Sequence, residues 1–167
     1  RLSYFLWSSM PDAPLLRESS AHNLRRPQVL SAQIQRMLHH ERVQGFATEF
    51  VGNWLDFRRF QQHNAVDRQR FPKFTDELRQ AMFEEPIRFF VELVQHDRSV
   101  LDFLDGQHTF VNPVLAQHYG MELPGGASTA DQWSRIDNAA DYGRGGLLPM
   151  SVFLTKNAPG LRTSPVQ

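Results

Sequence analysis

The stretch from Thr75 to Val94 constrains this chain most. Leu78, Met82, Phe89, Phe90, Leu93 and Val94 recur there at the three- and four-residue spacing that puts side chains on one face of an α-helix. Thr75-Asp76-Glu77-Leu78 reads as its start. Pro86 falls inside the pattern, lacks the amide proton of the helical ladder and should kink or divide the helix. The aromatic bias of this face extends along the chain, with 13 Phe and 3 Trp in 167 residues. Such rings bury about 150–250 Å² each. Val and Ile, the residues that suit a pleated sheet, are modest in number. The pattern predicts an all-α fold, an irregular multi-helix bundle around an aromatic-rich core.

Other segments repeat the signal on a smaller scale. Leu2, Phe5 and Leu6 sit at helical spacing before Pro11-Asp12 closes the segment. Asp12 can cap a short helix carrying Leu15 and Leu16. Pro27 suits a first helical turn, and Leu30, Ile34, Met37 and Leu38 form an apolar stripe behind it. From Val43 onward, Phe46, Phe50, Trp54 and Phe57 repeat at four, four and three, one face of a helix. Gln61 to Lys73 reads as a polar loop. Ser99 followed by Asp102 resembles a capping box before Leu101 and Leu104. Phe110 to Tyr119 reads as a further short helix, closed by Gly120. Beyond Gly120, Gly and Pro recur too often for a long element, although Trp133 and Ile136 could anchor a short strand or turn. The organisation expected is a helical domain over 1–120 and an irregular segment over 121–167 that leads into a following domain.

Charge and cysteine content remove several functional classes. Lys and Arg number 18 and Asp and Glu 18, so the formal charge is zero. Nonspecific nucleic-acid binding needs surplus positive charge to displace counterions, so no nucleic-acid partner is expected. With no Cys, the chain can form neither a disulfide nor a thiolate zinc site, and it cannot attach haem covalently. No stretch of about 18 uncharged apolar residues occurs, so no membrane span is expected. No signal peptide is visible, and the chain opens on Arg1 rather than Met, as a piece of something longer would.

Several constellations carry chemistry on paper. His39-His40-Glu41-Arg42 suggests a zinc helix, but position 43 is Val and 44 is Gln, so the second ligand is missing and no metal site is expected. Asp97, Asp102 and Asp105 match no calcium loop and read better as helix caps. Gly143-Arg144-Gly145-Gly146 could form an anion nest, though a flexible turn is the plainer reading. His118-Tyr119 follows the stripe Phe110, Val114 and Leu115. His118 could serve as an axial haem ligand or proton carrier, and Met150 as an axial thioether, against the plainer reading of core filling.

Longer runs match a known family. Arg1-Leu2-Ser3-Tyr4-Phe5-Leu6-Trp7-Ser8-Ser9-Met10-Pro11-Asp12 resembles the opening of the family catalogued as domain of unknown function 1592. Phe50-Val51-Gly52-Asn53-Trp54-Leu55, Asp97-Arg98-Ser99-Val100-Leu101-Asp102-Phe103-Leu104, Thr109-Phe110-Val111-Asn112 and Leu115-Ala116-Gln117-His118-Tyr119-Gly120 agree with it in order and spacing. Gly145-Gly146-Leu147-Leu148 through Arg162-Thr163-Ser164-Pro165-Val166 resembles the start of its usual C-terminal neighbour. Pro86 departs from the family pattern, which more usually has a helix-compatible residue there. The resemblance implies a large, exported, planctomycete-type polypeptide associated with c-type cytochromes. Its haem would be attached by a cytochrome c module elsewhere in the parent. Such a protein is periplasmic or extracellular. The family has no established catalytic residues to carry across.

The reading that follows is a non-catalytic structural or interaction module, whose partners are other domains of its parent. Two alternatives stay open. In one, the 109–120 and 143–166 segments line an oxidoreductase pocket shared with a haem domain. His118, Tyr119 and Arg162 would then transfer protons and anchor an anion. In the other, exposed Trp133 or Tyr142 stacks on a carbohydrate.

Overall fold

The computed structural model describes residues 1–62, 66–124 and 129–156. They form a mostly helical fold with one two-stranded sheet. Among these residues no helix is long and apolar enough to cross a membrane.

The N-terminal helices form where their caps place them. α1 (Leu2–Trp7) stops at Ser8, whose left-handed backbone (φ 51°) turns the chain. Asp12 caps α2 (Ala13–Ser20), its Oδ1 accepting the Leu15 amide at 3.1 Å. The same carboxylate receives both terminal nitrogens of Arg36, at 2.7 and 3.1 Å, and so ties α2 to α3 (Pro27–Leu38). Leu6, Trp7, Leu15 and Met37 make a small core between these helices. The Trp7 indole N–H donates to the Met37 carbonyl at 2.9 Å, so the ring is buried without an orphaned donor.

The larger core surrounds α6 (Asp76–Gln95). Thr75 caps it, accepting the Leu78 amide at 3.2 Å. Leu78, Met82, Phe89, Phe90 and Leu93 are buried, as their spacing predicts. Pro86 does not divide the helix, which runs unbroken through it. Glu85, Pro86 and Ile87 are all buried there, so packing around the proline holds the segment helical despite one missing backbone bond.

A correction concerns the segment before α6. α4 (Val43–Phe46) passes through a π-helical stretch, Ala47–Val51, into the single turn α5 (Gly52–Trp54). The wider π turn keeps residues four apart aligned, and the face turned to the core is Val43, Ala47 and Val51, each fully buried. Of the aromatic face read from the spacing, Phe57 is buried, whereas Phe50 is 46% and Trp54 59% exposed.

A second correction concerns Phe110 to Tyr119. Thr109–Val111 is a strand, β1, and only Pro113–Tyr119 is helical, as α8. Asn112 ends one and starts the other, its Oδ1 accepting the Leu115 amide at 2.9 Å with Pro113 in the first turn. β1 pairs antiparallel with β2 (Ser134–Ile136), Thr109 opposite Ile136 and Val111 opposite Ser134. The short α7 (Asp102–Asp105) starts from Leu101 without a side-chain cap, the Ser99 hydroxyl accepting the Leu101 amide at 3.1 Å instead, and both Leu101 and Leu104 are exposed.

The described residues after Gly120 pack on the core. Ile136, Ala139, Leu147, Met150 and Val152 join the same core as α6. Gly146 (φ 63°) is pressed so closely on the Phe103 and Leu104 carbonyls that a Cβ would lie 2.7 Å from each oxygen. α9 (Ser151–Lys156) is moored by Lys156, whose Nζ donates to the Leu55 carbonyl at 2.9 Å and the Asp56 carbonyl at 3.1 Å.

α1 meets α4 at Gly45, where a Cβ would fall 2.5 Å from the Trp7 carbonyl oxygen. Backbone cannot yield there as a side-chain tip would. Gly45→Ala should therefore destabilise the fold by about 2 kcal/mol through overpacking. Urea unfolding with an unchanged slope checks this value.

Candidate functional site

The most buried chemistry lies between α6, β1, α8 and α9. Glu85 has no exposed surface. Its Oε1 accepts the Thr109 hydroxyl at 2.6 Å and its Oε2 the Tyr119 hydroxyl at 2.6 Å. The Tyr119 oxygen in turn accepts the Ser151 amide at 2.9 Å. Burial pushes the Glu85 carboxyl up to about 7, against the opposing pull of its two hydroxyl donors and of Arg144. Burial also pushes the Tyr119 hydroxyl up, and the neighbouring Glu85 adds to that shift. The Arg144 guanidinium sits 4.2 Å over the Tyr119 ring and donates to the Pro149 carbonyl. Tyr119 is thus fully engaged: it donates to a carboxylate, accepts an amide and stacks beneath a cation.

A second polar cluster lies at the C-terminal end of α6. Glu92 accepts Arg135 of β2, and Arg98 approaches its Oε1 at 3.6 Å. His108, 3% exposed, lies nearly parallel to the Phe89 ring, with centroids 4.7 Å apart. Its Nε2 faces Glu92 Oε2 at 3.2 Å, yet the two atoms are out of line for a hydrogen bond. Burial lowers the His108 pKa, Arg135 lowers it further, and Glu92 opposes both. Neutral His108 suits this site. Among the described residues, no group of three His, Asp or Glu side chains could hold a metal ion.

The candidates read from sequence separate in space. His118, at the last turn of α8, lines a groove of about 460 Å³ with Arg70, Lys73, Met82 and Leu154. Its pKa is lowered by partial desolvation and by Arg144. Tyr119, next in sequence, points into the core instead. Met150 is 2% exposed, belongs to the core and does not line the His118 groove. Arg162 lies outside the described residues. Trp133 and Tyr142 are half-buried against the core rather than exposed, and the Arg88 guanidinium lies 4.4 Å from the Trp133 ring centroid.

A feature that sequence reading missed is a row of rings across the surface. Phe5 meets Phe46 at 5.2 Å, Phe46 meets Phe50 at 5.2 Å, Phe50 meets Trp54 at 6.0 Å, and Trp54 meets Phe103 at 6.1 Å. Phe90 underlies Phe46, Phe50 and Phe103. Helical spacing marked the rings of the middle helix. It could not tell that they turn outward, nor that Phe5 and Phe103 extend the row.

The family model described as PSD4, protein of unknown function (DUF1592), matches residues 1–121. No curated protein and no solved structure matches.

The Glu85 hub has a pH signature. An unfolded Glu ionises near 4.5, while the native group holds its proton to about 7. Between those values the native state binds more protons, so this group's contribution to stability falls as pH rises through the window. His108 and His118, whose lowered pKa values add stability as pH rises, act in the opposite sense. The melting temperature of the wild type relative to Glu85→Gln should therefore fall from pH 5 to pH 8, which thermal melts of both across the range will measure. Tyr119→Phe strands the Ser151 amide and one Glu85 oxygen, and should lower stability by about 1–3 kcal/mol in denaturant titrations at pH 7.

Proposed function

Because the chain belongs to the DUF1592 family, we propose that it acts as a non-catalytic helical interaction module within a larger exported polypeptide. There it docks a neighbouring domain of a c-type-cytochrome-associated parent. The observation that carries this reading is the surface row of rings. Phe5 is 61%, Phe50 46% and Trp54 59% exposed, and the three lie within one continuous stack. Leaving stacked rings in water forfeits the stabilisation their burial would give, and contiguous apolar surface of this kind marks places where another surface rests. Aromatic anchors at the centre of such contacts commonly dominate the binding energy. The buried carboxyl groups support the same reading, since Glu85 and Glu92 are committed to holding elements together. The cytochrome association and export rest on the family resemblance. A covalently attached haem would belong to another module, because this chain has no cysteine with which to attach one.

The test is association in trans with the remaining domains of the parent, followed by titration calorimetry. Phe5→Ser combined with Trp54→Ser should weaken it by about 2 kcal/mol, roughly thirtyfold. Circular dichroism should show the helical fold retained. Undiminished association of the double variant would refute the docking role.

A further inference from the structure

The His118 groove has a chemistry of its own. It lies between the 66–74 loop, the first half of α6, the end of α8 and α9. Its walls are apolar, built largely from Phe71, Pro72, Leu78, Met82 and Leu154. Its polar lining holds two cations, Arg70 and Lys73, with His118 and Thr155, and no Asp or Glu among the described residues. Arg70 and Lys73 form no salt bridge with a carboxylate among the described residues, whereas their neighbour Arg68 is held by Asp76 at 2.6 Å. The contrast with the groove beside Trp133 is direct. That groove is of similar size, about 500 Å³, and is lined by Asp76, Glu77, Glu84 and Asp131 against one cation, Arg88, which pairs with Glu84. In a chain of zero net charge, these two concavities thus carry opposite signs.

The geometry points to a binding site for a small amphipathic carboxylate, an acyl chain lying along Phe71, Leu78 and Met82 with its carboxylate among Arg70, Lys73 and His118. The size suits a small molecule, since ligand clefts run from about 300 to 1,000 Å³. An apolar wall accepts a hydrocarbon tail without any polar pairing. Cations left without a carboxylate partner receive an anionic head without breaking an existing ion pair. A neutral head would gain little from them, and a cationic head would be repelled. The site is independent of the aromatic row, which none of its lining residues joins.

Calorimetric titration of the 167-residue chain with decanoate and decyltrimethylammonium below their micelle concentrations, decanol below its solubility limit, and acetate tests the assignment. Decanoate should bind saturably, one per chain. Decanol should bind about tenfold more weakly, and acetate and the ammonium not measurably. Arg70→Gln with Lys73→Gln should weaken decanoate about tenfold, the effect of two partly exposed charge contacts, and leave decanol unchanged. Leu154→Glu, which sets a carboxylate at the rim, should weaken decanoate as well. Amide shifts in NMR should centre on residues 70–82, 118 and 154. Equal affinity for decanoate and the ammonium, indifference to the double substitution, or shifts centred on Phe5, Phe50 and Trp54 would each overturn the site.

Discussion

A carboxyl group without access to water stands where four elements meet. Glu85 comes from the middle of α6, Thr109 from β1, Tyr119 from α8, and the Ser151 amide from the start of α9. Removing such a group from water is costly, and the cost is met only when each oxygen finds a donor. The hydroxyls that satisfy Glu85 are 24 and 34 residues away along the chain. The middle of α6 therefore fixes where the later elements must lie. A rearrangement that slid α8 or α9 would strand a buried acid. Apolar packing around α6 tolerates small shifts far better, so this polar junction selects one arrangement of the bundle.

The second carboxylate, Glu92, performs a related task nearer the surface. It gathers Arg135 from β2 and Arg98 from the turn after α6, beneath which His108 lies against Phe89. The two glutamates sit seven residues apart, two turns of one helix, and so face the same side. The sheet meets both: Thr109 at the start of β1 donates to Glu85, and Arg135 of β2 donates to Glu92. The small sheet is thus stitched to α6 at two points, one on each strand, in the register that sets Thr109 opposite Ile136. Residues beyond the span of the family match, from β2 to α9, complete the core that α6 begins.

Local features were legible in the sequence because their partners are neighbours. The Asp12 and Thr75 caps and the proline at the start of α3 were each read from a few adjacent residues. The helical class followed from apolar spacing, and the burial of Leu78, Met82, Phe89, Phe90 and Leu93 bears that out. What escaped was set by distant contacts. Pro86 reads as a break, but tight burial on both flanks keeps the helix whole. Thr109–Val111 becomes a strand because β2 supplies a ladder from more than twenty residues away. His118 and Tyr119 are adjacent in sequence and face opposite environments, one a surface groove and the other the core. No spacing rule shows that Glu85 lies among hydroxyls.

The π-helical stretch at Ala47–Val51 bears on more than local geometry. An α-helix advances about 100° per residue, so adding or removing one residue swings everything downstream by nearly a third of a turn. The outward aim of Phe50 and Trp54 is then a matter of angular phase, not of composition. Removing Ala47, Thr48 or Glu49 would keep every ring in the sequence, yet rotate Trp54 off the surface row. A single-residue deletion could thereby erase the ridge without the loss of one aromatic.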